Sequence, residues 1–156
     1  MKTQTEISFT KVALPFGWLG NMSPYPITYK GKEWRTSEAL FQALRFDDED
    51  IIEVIRAEKS PMGAKMKAKK HKLKMIVEVM SSEDIGNMVL CINLKLKQHP
   101  DLRKQLLETN ESIIIEDSSS RPRGSGLFWG AQKLESGWSG KNILGKVWMD
   151  VRDSLN

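Results

Sequence analysis

Ile85, Met88, Val89, Ile92 and Leu96 recur at offsets of 0, 3, 4, 7 and 11, which is the spacing of one face of an α-helix. A helix of this kind is marginal in water by itself and becomes stable when its stripe is covered by the rest of the chain. Ser81 or Ser82 supplies a cap at its start. A chain of 156 residues, 40% of them apolar, has enough material to cover it in one core without disulfides or metal. The single cysteine, Cys91, lies in the same apolar stretch, where a free thiol packs as a small hydrophobe. His71 and His99 stand in unrelated contexts and make no zinc spacing with it, so neither metal nor cofactor is expected.

The other segments are read in the same way. Ile27 to Tyr29 and Lys32 to Trp34, about Lys30-Gly31, predict a short hairpin, and Thr36 or Ser37 then caps a helix running to about Phe46. In that helix Leu40, Phe41 and Leu44 form the apolar stripe, while Glu38, Gln42 and Arg45 share the opposite side. Beyond the acidic Asp47 to Asp50, Ile51, Ile52 and Ile55 support a helix ending near Lys59, and Ser60-Pro61 opens another. Met62, Met66, Leu73, Ile76, Val77 and Met80 give this last one an incomplete apolar face. Pro100 to Glu108 predicts a shorter helix, Ser112 to Glu116 a buried strand, and Ser118 to Gly126 a loop. A final helix from about Lys141 to Leu155 buries Leu144, Val147, Trp148 and Val151. The fold class expected is α+β: a helix-dominated single domain over 1–156 with a small β-sheet.

Charge is unevenly placed. Six of the ten residues from Lys65 to Lys74 are lysine; they circle their helix and read as a general attraction for polyanions, nucleic acid among them. The N-terminus lacks an apolar run behind a basic flank, and no window approaches the roughly 18 apolar residues of a membrane span. A cytoplasmic protein that stays out of the membrane is expected, and its oligomeric state is open.

Two stretches combine aromatics, glycines and amides in a way a core alone does not require. One is Gly17 to Pro24 together with Lys32-Glu33-Trp34-Arg35-Thr36-Ser37-Glu38 and Phe41-Gln42; the other is Phe128-Trp129-Gly130-Ala131, continuing through Gly137 to Gly145. Gly20-Asn21, Thr36-Ser37-Glu38, Phe41-Gln42, Ala64-Lys65, Phe128-Trp129-Gly130, Gly140-Lys141-Asn142-Ile143-Leu144-Gly145 and Arg152 stand in the order of the NADAR (YbiA-like) family, which the chain resembles over nearly its whole length.

The resemblance implies an N-glycosidase that hydrolyses a bond between a ribose C1 and a nitrogen. Its substrate is a phosphorylated, ADP-ribose-like compound, most simply ADP-ribose attached to guanine. Hydrolysis of phosphoribosylaminopyrimidine intermediates of riboflavin biosynthesis is the alternative, and a non-catalytic module that binds ADP-ribose or nucleic acid is a further one. Breaking such a bond builds positive charge on the ribose, which calls for a carboxylate near the anomeric carbon. Glu38 is the catalytic carboxylate the resemblance implies; on pattern alone a helix-dipole residue in water is the commoner reading. The second acidic role falls among Glu116, Asp117 and Glu135, with Glu135 taken as the catalytic counterpart. The family's acid before the aromatic-Trp-Gly step has no equivalent, since 124–127 reads Gly-Ser-Gly-Leu.

Substrate contacts are expected from Asn21, Trp34, Arg35 and Gln42, and from Lys65 as a phosphate partner or one more wet lysine. Trp129 suits stacking on a base or burial in the core, and Gly130 suits close backbone approach. Asn142 is placed to bond ribose hydroxyls or to cap the last helix.

Overall fold

A computed structural model of the chain describes residues 5–155, so most of the N-terminal stretch read above for an export signal, residues 1–4, lies outside the described residues. The chain divides into two units, one from Asn21 to His99 and the other from the residues up to Gly20 together with those from Pro100 onward.

In the first of these, Lys30 and Gly31 both take positive φ, 49° and 77°, the twist that joins antiparallel strands tightly. Strands β2 (Ile27–Tyr29) and β3 (Lys32–Trp34) pair accordingly, with buried Ile27 opposite buried Trp34; β1 (Glu6–Phe9) belongs to the other unit. The Thr36 hydroxyl accepts from Ala39 N at 3.1 Å and opens α1 (Ser37–Ala43). The helix stops short of Phe46 because Arg45 N and Phe46 N bond three residues back, to Gln42 O and Ala43 O, tightening the last turn. All of α1 is buried, so its polar side is enclosed along with its apolar side.

Helix α2 (Glu49–Ala57) is capped by Asp48 and buries Ile51 and Ile55. Helix α3 (Pro61–Lys70) is capped by Ser60, which accepts from Gly63 N at 2.9 Å. The apolar face expected for it is not the packed one: Met62, Met66, Leu73 and Ile76 are exposed. Ala64 and Ala68 are fully buried, and these short side chains let α3 pack on α1 and α2. Helix α4 (Ser82–Gln98) follows, packed on α1, but its buried face is Asp84, Met88, Cys91, Ile92, Lys95 and Leu96. Relative to the apolar stripe in the sequence the face is turned toward two charged residues, and Ile85 and Val89 are only half-buried.

In the other unit β1 (Glu6–Phe9), which the sequence did not suggest, runs parallel to β4 (Ile113–Glu116), with Glu6 opposite Ile113. Helix α5 (Pro100–Glu108) buries Leu102 and Leu106. The serine-rich loop is interrupted by a short helix, α6 (Ser125–Trp129), and is followed by a hairpin of β5 (Gln132–Leu134) and β6 (Gly137–Ser139). Helix α7 (Ile143–Ser154) buries Leu144, Val147, Trp148 and Val151 as the spacing predicts. Trp148 Nε1 donates to Leu19 O at 2.9 Å, and Arg152 donates to Thr109 Oγ1 and Ser112 O, both at 2.9 Å.

Asn142 precedes α7 in the left-handed region at φ 52°, and its side chain makes no cap there, contrary to the expected capping role. It bonds the strand instead: Nδ2 donates to Ile114 O at 2.9 Å, and Oδ1 accepts from Glu116 N at 3.0 Å, as a neighbouring strand would. Gly145 permits this approach, since a Cβ there would stand 2.2 Å from Ile114 O. Asn142→Ala therefore loses two bonds and places alanine at positive φ, an expected cost of about 2–4 kcal/mol. Asn142→Gly keeps the backbone conformation and should cost less; comparing the two denaturation midpoints checks the assignment.

Among the described residues there are seven α-helices and three separate two-stranded sheets, a helix-dominated α+β fold as the sequence predicts. Among them, too, no helix is long and apolar enough to cross a membrane.

Candidate active site

Glu38 lies in the first turn of α1, 7% exposed, with both carboxylate oxygens used as acceptors. Asn21 Nδ2 donates to Oε2 at 2.8 Å and Gln42 Nε2 to Oε1 at 2.8 Å. Neither amide is free to turn over. The Gln42 Oε1 accepts from Arg45 Nη1 at 3.0 Å, and a guanidinium has only donors, so the Gln42 NH2 must face Glu38. The Asn21 Oδ1 bonds the Ser37 hydroxyl, which can donate or accept, so it is the Glu38 carboxylate, an acceptor only, that keeps the Asn21 NH2 turned toward it.

The series continues into α4. Arg45 forks onto Asp84, Nε to Oδ1 at 2.9 Å and Nη2 to Oδ2 at 2.7 Å, with its guanidinium 4.6 Å from the centre of the Phe41 ring. Asp84 is fully buried and also accepts from Met80 N at 2.8 Å. A buried ion pair holds only when its groups are well bonded, and here the fork and the Gln42 amide engage all three Arg45 nitrogens while the fork and the Met80 N–H engage both Asp84 oxygens. The offsets of three and four that put Glu38, Gln42 and Arg45 on one side of the helix thus become one chain of hydrogen bonds from Asn21 to Asp84.

Two further groups on the same face of α4 are enclosed. Burial pushes the Cys91 thiol up, and the negative charge of Glu38 adds to the effect, so Cys91 stays a thiol and is packed as expected of it. Lys95 is fully buried and donates to Ser23 Oγ at 2.8 Å, and burial lowers its pKa from 10.5 to about 7. The unfolded chain therefore binds the proton more tightly, and this group's contribution to stability increases as pH rises from about 7 to 10.5. Lys95→Met should flatten that part of the stability profile, as read by urea midpoints across the interval.

The remaining expected contacts stand elsewhere. Trp34 is buried in β3, and its Nε1 has no hydrogen-bond partner among the described residues. Arg35 is exposed and donates to the carbonyls of Arg56, Ala57 and Glu58, closing the C-terminus of α2. Lys65 is half-buried on α3. In the other unit Trp129 is buried edge-on against Phe128, and Gly130 lies against the end of β4, where a Cβ would stand 2.3 Å from Ser118 Oγ and 2.6 Å from Glu116 O. Asn142 spends its amide on β4, and Glu135 is exposed in the turn between β5 and β6.

The sequence reading did not mark Asp84 or Lys95, and it named Ser37 only as a helix cap and within the Thr36-Ser37-Glu38 step. Ser81 with Asp84 three residues on is a capping-box spacing, and that signal was available for Asp84. Nothing in the spacing marks Lys95 as enclosed. Among the described residues no group of three or more His, Cys, Asp and Glu is placed to hold a metal ion.

A sequence model of the NADAR domain matches residues 8–156. The chain is 32% identical to the N-glycosidase YbiA of Escherichia coli strain K12, covering 97% of this chain and 89% of that one. It is 31% identical to the N-glycosidase Npun_R5314 of Nostoc punctiforme, covering 96% and 92%. The NMR structure of the E. coli protein YbiA superimposes with a TM-score of 0.81 at 32% identity, over 99% of this chain and 87% of that one. The chain belongs to the NADAR family and is a glycosidase.

Proposed function

We propose that the chain hydrolyses the bond between a ribose C1 and a nitrogen, removing ADP-ribose from a nucleobase, guanine in the first place, or from a related ADP-ribose-type nucleotide. In this reaction the electrons of the C1–N bond leave with the nitrogen, which takes up a proton, and the ring oxygen shares the positive charge left at C1. A water oxygen then bonds to C1 and gives up its proton. The protein has to supply a fixed negative group beside C1 and a way to orient the water.

The observation that carries the reading is Glu38, a carboxylate held from both sides by amides, of which Gln42 is fixed in turn by Arg45 and Asn21 is bonded by Ser37. Each oxygen has accepted one bond and retains capacity for a second, toward water or the oxocarbenium-like carbon. Because Asn21 and Gln42 are already oriented, little reorganisation accompanies the development of charge. Glu135, a solvated turn residue, offers no comparably fixed oxygen and is left out of the chemistry. Lys65 remains the proposed phosphate contact.

The test is product analysis. Purified protein is given an oligonucleotide carrying ADP-ribose on guanine and, separately, the phosphoribosylaminopyrimidine. Release of ADP-ribose with an unmodified oligonucleotide is expected from the first. Cleavage of the second alone would move the assignment to the riboflavin intermediate, and tight binding of the first without cleavage would make the chain a binding module.

A further inference from the structure

From Ser60 to Val77 the chain contains no acidic residue and six lysines, at 65, 67, 69, 70, 72 and 74. Outside that run it carries 18 bases against 20 acids, so its positive balance resides there. The run forms α3 and, one residue on, a single turn of 3-10 helix, Lys72–Lys74. Ala64 and Ala68 occupy the inner side; Met66, Lys69 and Lys70 are exposed on the outer side of the helix, with half-buried Lys65 and Lys67 flanking them. Among the described residues Lys67 alone of the six makes an ion pair, a loose one with Glu58 at 3.8 Å.

We propose that this surface holds the sugar–phosphate backbone of a nucleic acid strand. Ten residues at about 1.5 Å and three at about 2 Å make a run about 21 Å long, which matches about six phosphates at 3.4 Å per nucleotide of one strand. Lysines are point charges on flexible stems and suit phosphates that arrive without fixed geometry. No Phe, Tyr or Trp occurs between Ser60 and Met80, and the one ring, His71, is half-buried, so the surface offers little base stacking and positions a strand through its phosphates. An anionic membrane fits less well. Leu73 is 93% exposed, but Met66 shares its side of α3 with Lys69 and Lys70, and the helix lacks the segregated apolar face that lies in an interface.

Helix α3 packs on α1, which carries Glu38, so strand and carboxylate are engaged by adjoining elements of one unit. The inference deepens the proposed function and rests on it only for the group that enters the site: the modified base arrives on a strand rather than as a free nucleotide.

Binding of a fluorescent unmodified oligonucleotide, single-stranded or duplex, tests this by anisotropy across a salt series. Wild-type affinity should fall with salt with a log–log slope of about −3 to −4 for the single strand. The combined Lys69→Gln, Lys70→Gln, Lys72→Gln and Lys74→Gln variant should bind at least about tenfold more weakly and lose most of that slope, while Lys104→Gln with Lys146→Gln should change neither. Absence of binding at about 50 mM salt, an unchanged affinity in the fourfold variant, or retention on phosphatidylserine vesicles without affinity for the strand overturns the proposal. Cleavage of an ADP-ribosylated guanosine mononucleotide, followed in the same proteins, should be equal in wild type and the fourfold variant. Strand binding without that cleavage contradicts the proposed function and leaves the surface assignment standing.

Discussion

Arg45→Met should destabilise the protein by about 3–5 kcal/mol, the cost of leaving one member of a buried pair without the other. The methionine fills much of the space but offers no donor. Asp84, fully buried, keeps only its bond from Met80 N and loses both arms of the fork at 2.9 and 2.7 Å. Because domains are stable by only about 5–15 kcal/mol, a large part of the folded state's margin is removed. Adding Asp84→Leu should return part of the loss, since neither charge then remains enclosed. Chemical denaturation of the two single variants and the double measures this directly; independent, additive losses would show that the fork contributes little. Arg45→Met should also slow catalysis, because the Gln42 amide loses the bond that orients it toward Glu38.

Glu38→Gln should lower turnover by about a hundredfold or more, with the larger change in kcat rather than KM, since the carboxylate is required where charge develops. The substitution is nearly isosteric but not silent for the fold. The new NH2 cannot face Gln42 Nε2, which Arg45 holds in place, but it can face Asn21, whose amide can turn over because the Ser37 hydroxyl donates or accepts. With Asn21 turned over no donor faces another, and the expected loss of stability is small, about 1 kcal/mol or less, which the fold tolerates. Glu38→Asp keeps the charge and shortens the reach; recovery of part of the rate in this variant would separate charge from packing.

The sequence carried the helices whose apolar residues follow one face, and α7 is where the spacing translated most directly into burial. It failed where polar residues go inside. In α1 and α4 the residues that look solvated, Gln42, Arg45, Asp84 and Lys95, are buried because they satisfy one another or find a partner hydroxyl, and a pairing between helices leaves no periodicity within either. The same limit applies to α3: its buried face is two alanines, which carry too little apolar signal to outweigh Met62, Met66 and Leu73. Strand β1 and the β5–β6 hairpin have short, mixed sequences and depend on partners distant or irregular in the chain. Of the candidate site, the alignment of Glu38 with Gln42 was legible from an offset of four. The hold of Asn21 on the same carboxylate was not, because it joins a loop to a helix 17 residues away.

The central claim is that the carboxylate fixed between Asn21 and Gln42 drives hydrolysis. Single-turnover cleavage of a guanine-ADP-ribosylated oligonucleotide by wild type and by Glu38→Gln, each confirmed folded by its denaturation midpoint, measures it most directly. Wild type should convert the substrate completely, and the variant should do so at a rate at least about a hundredfold lower. Equal rates in the two folded proteins would contradict it.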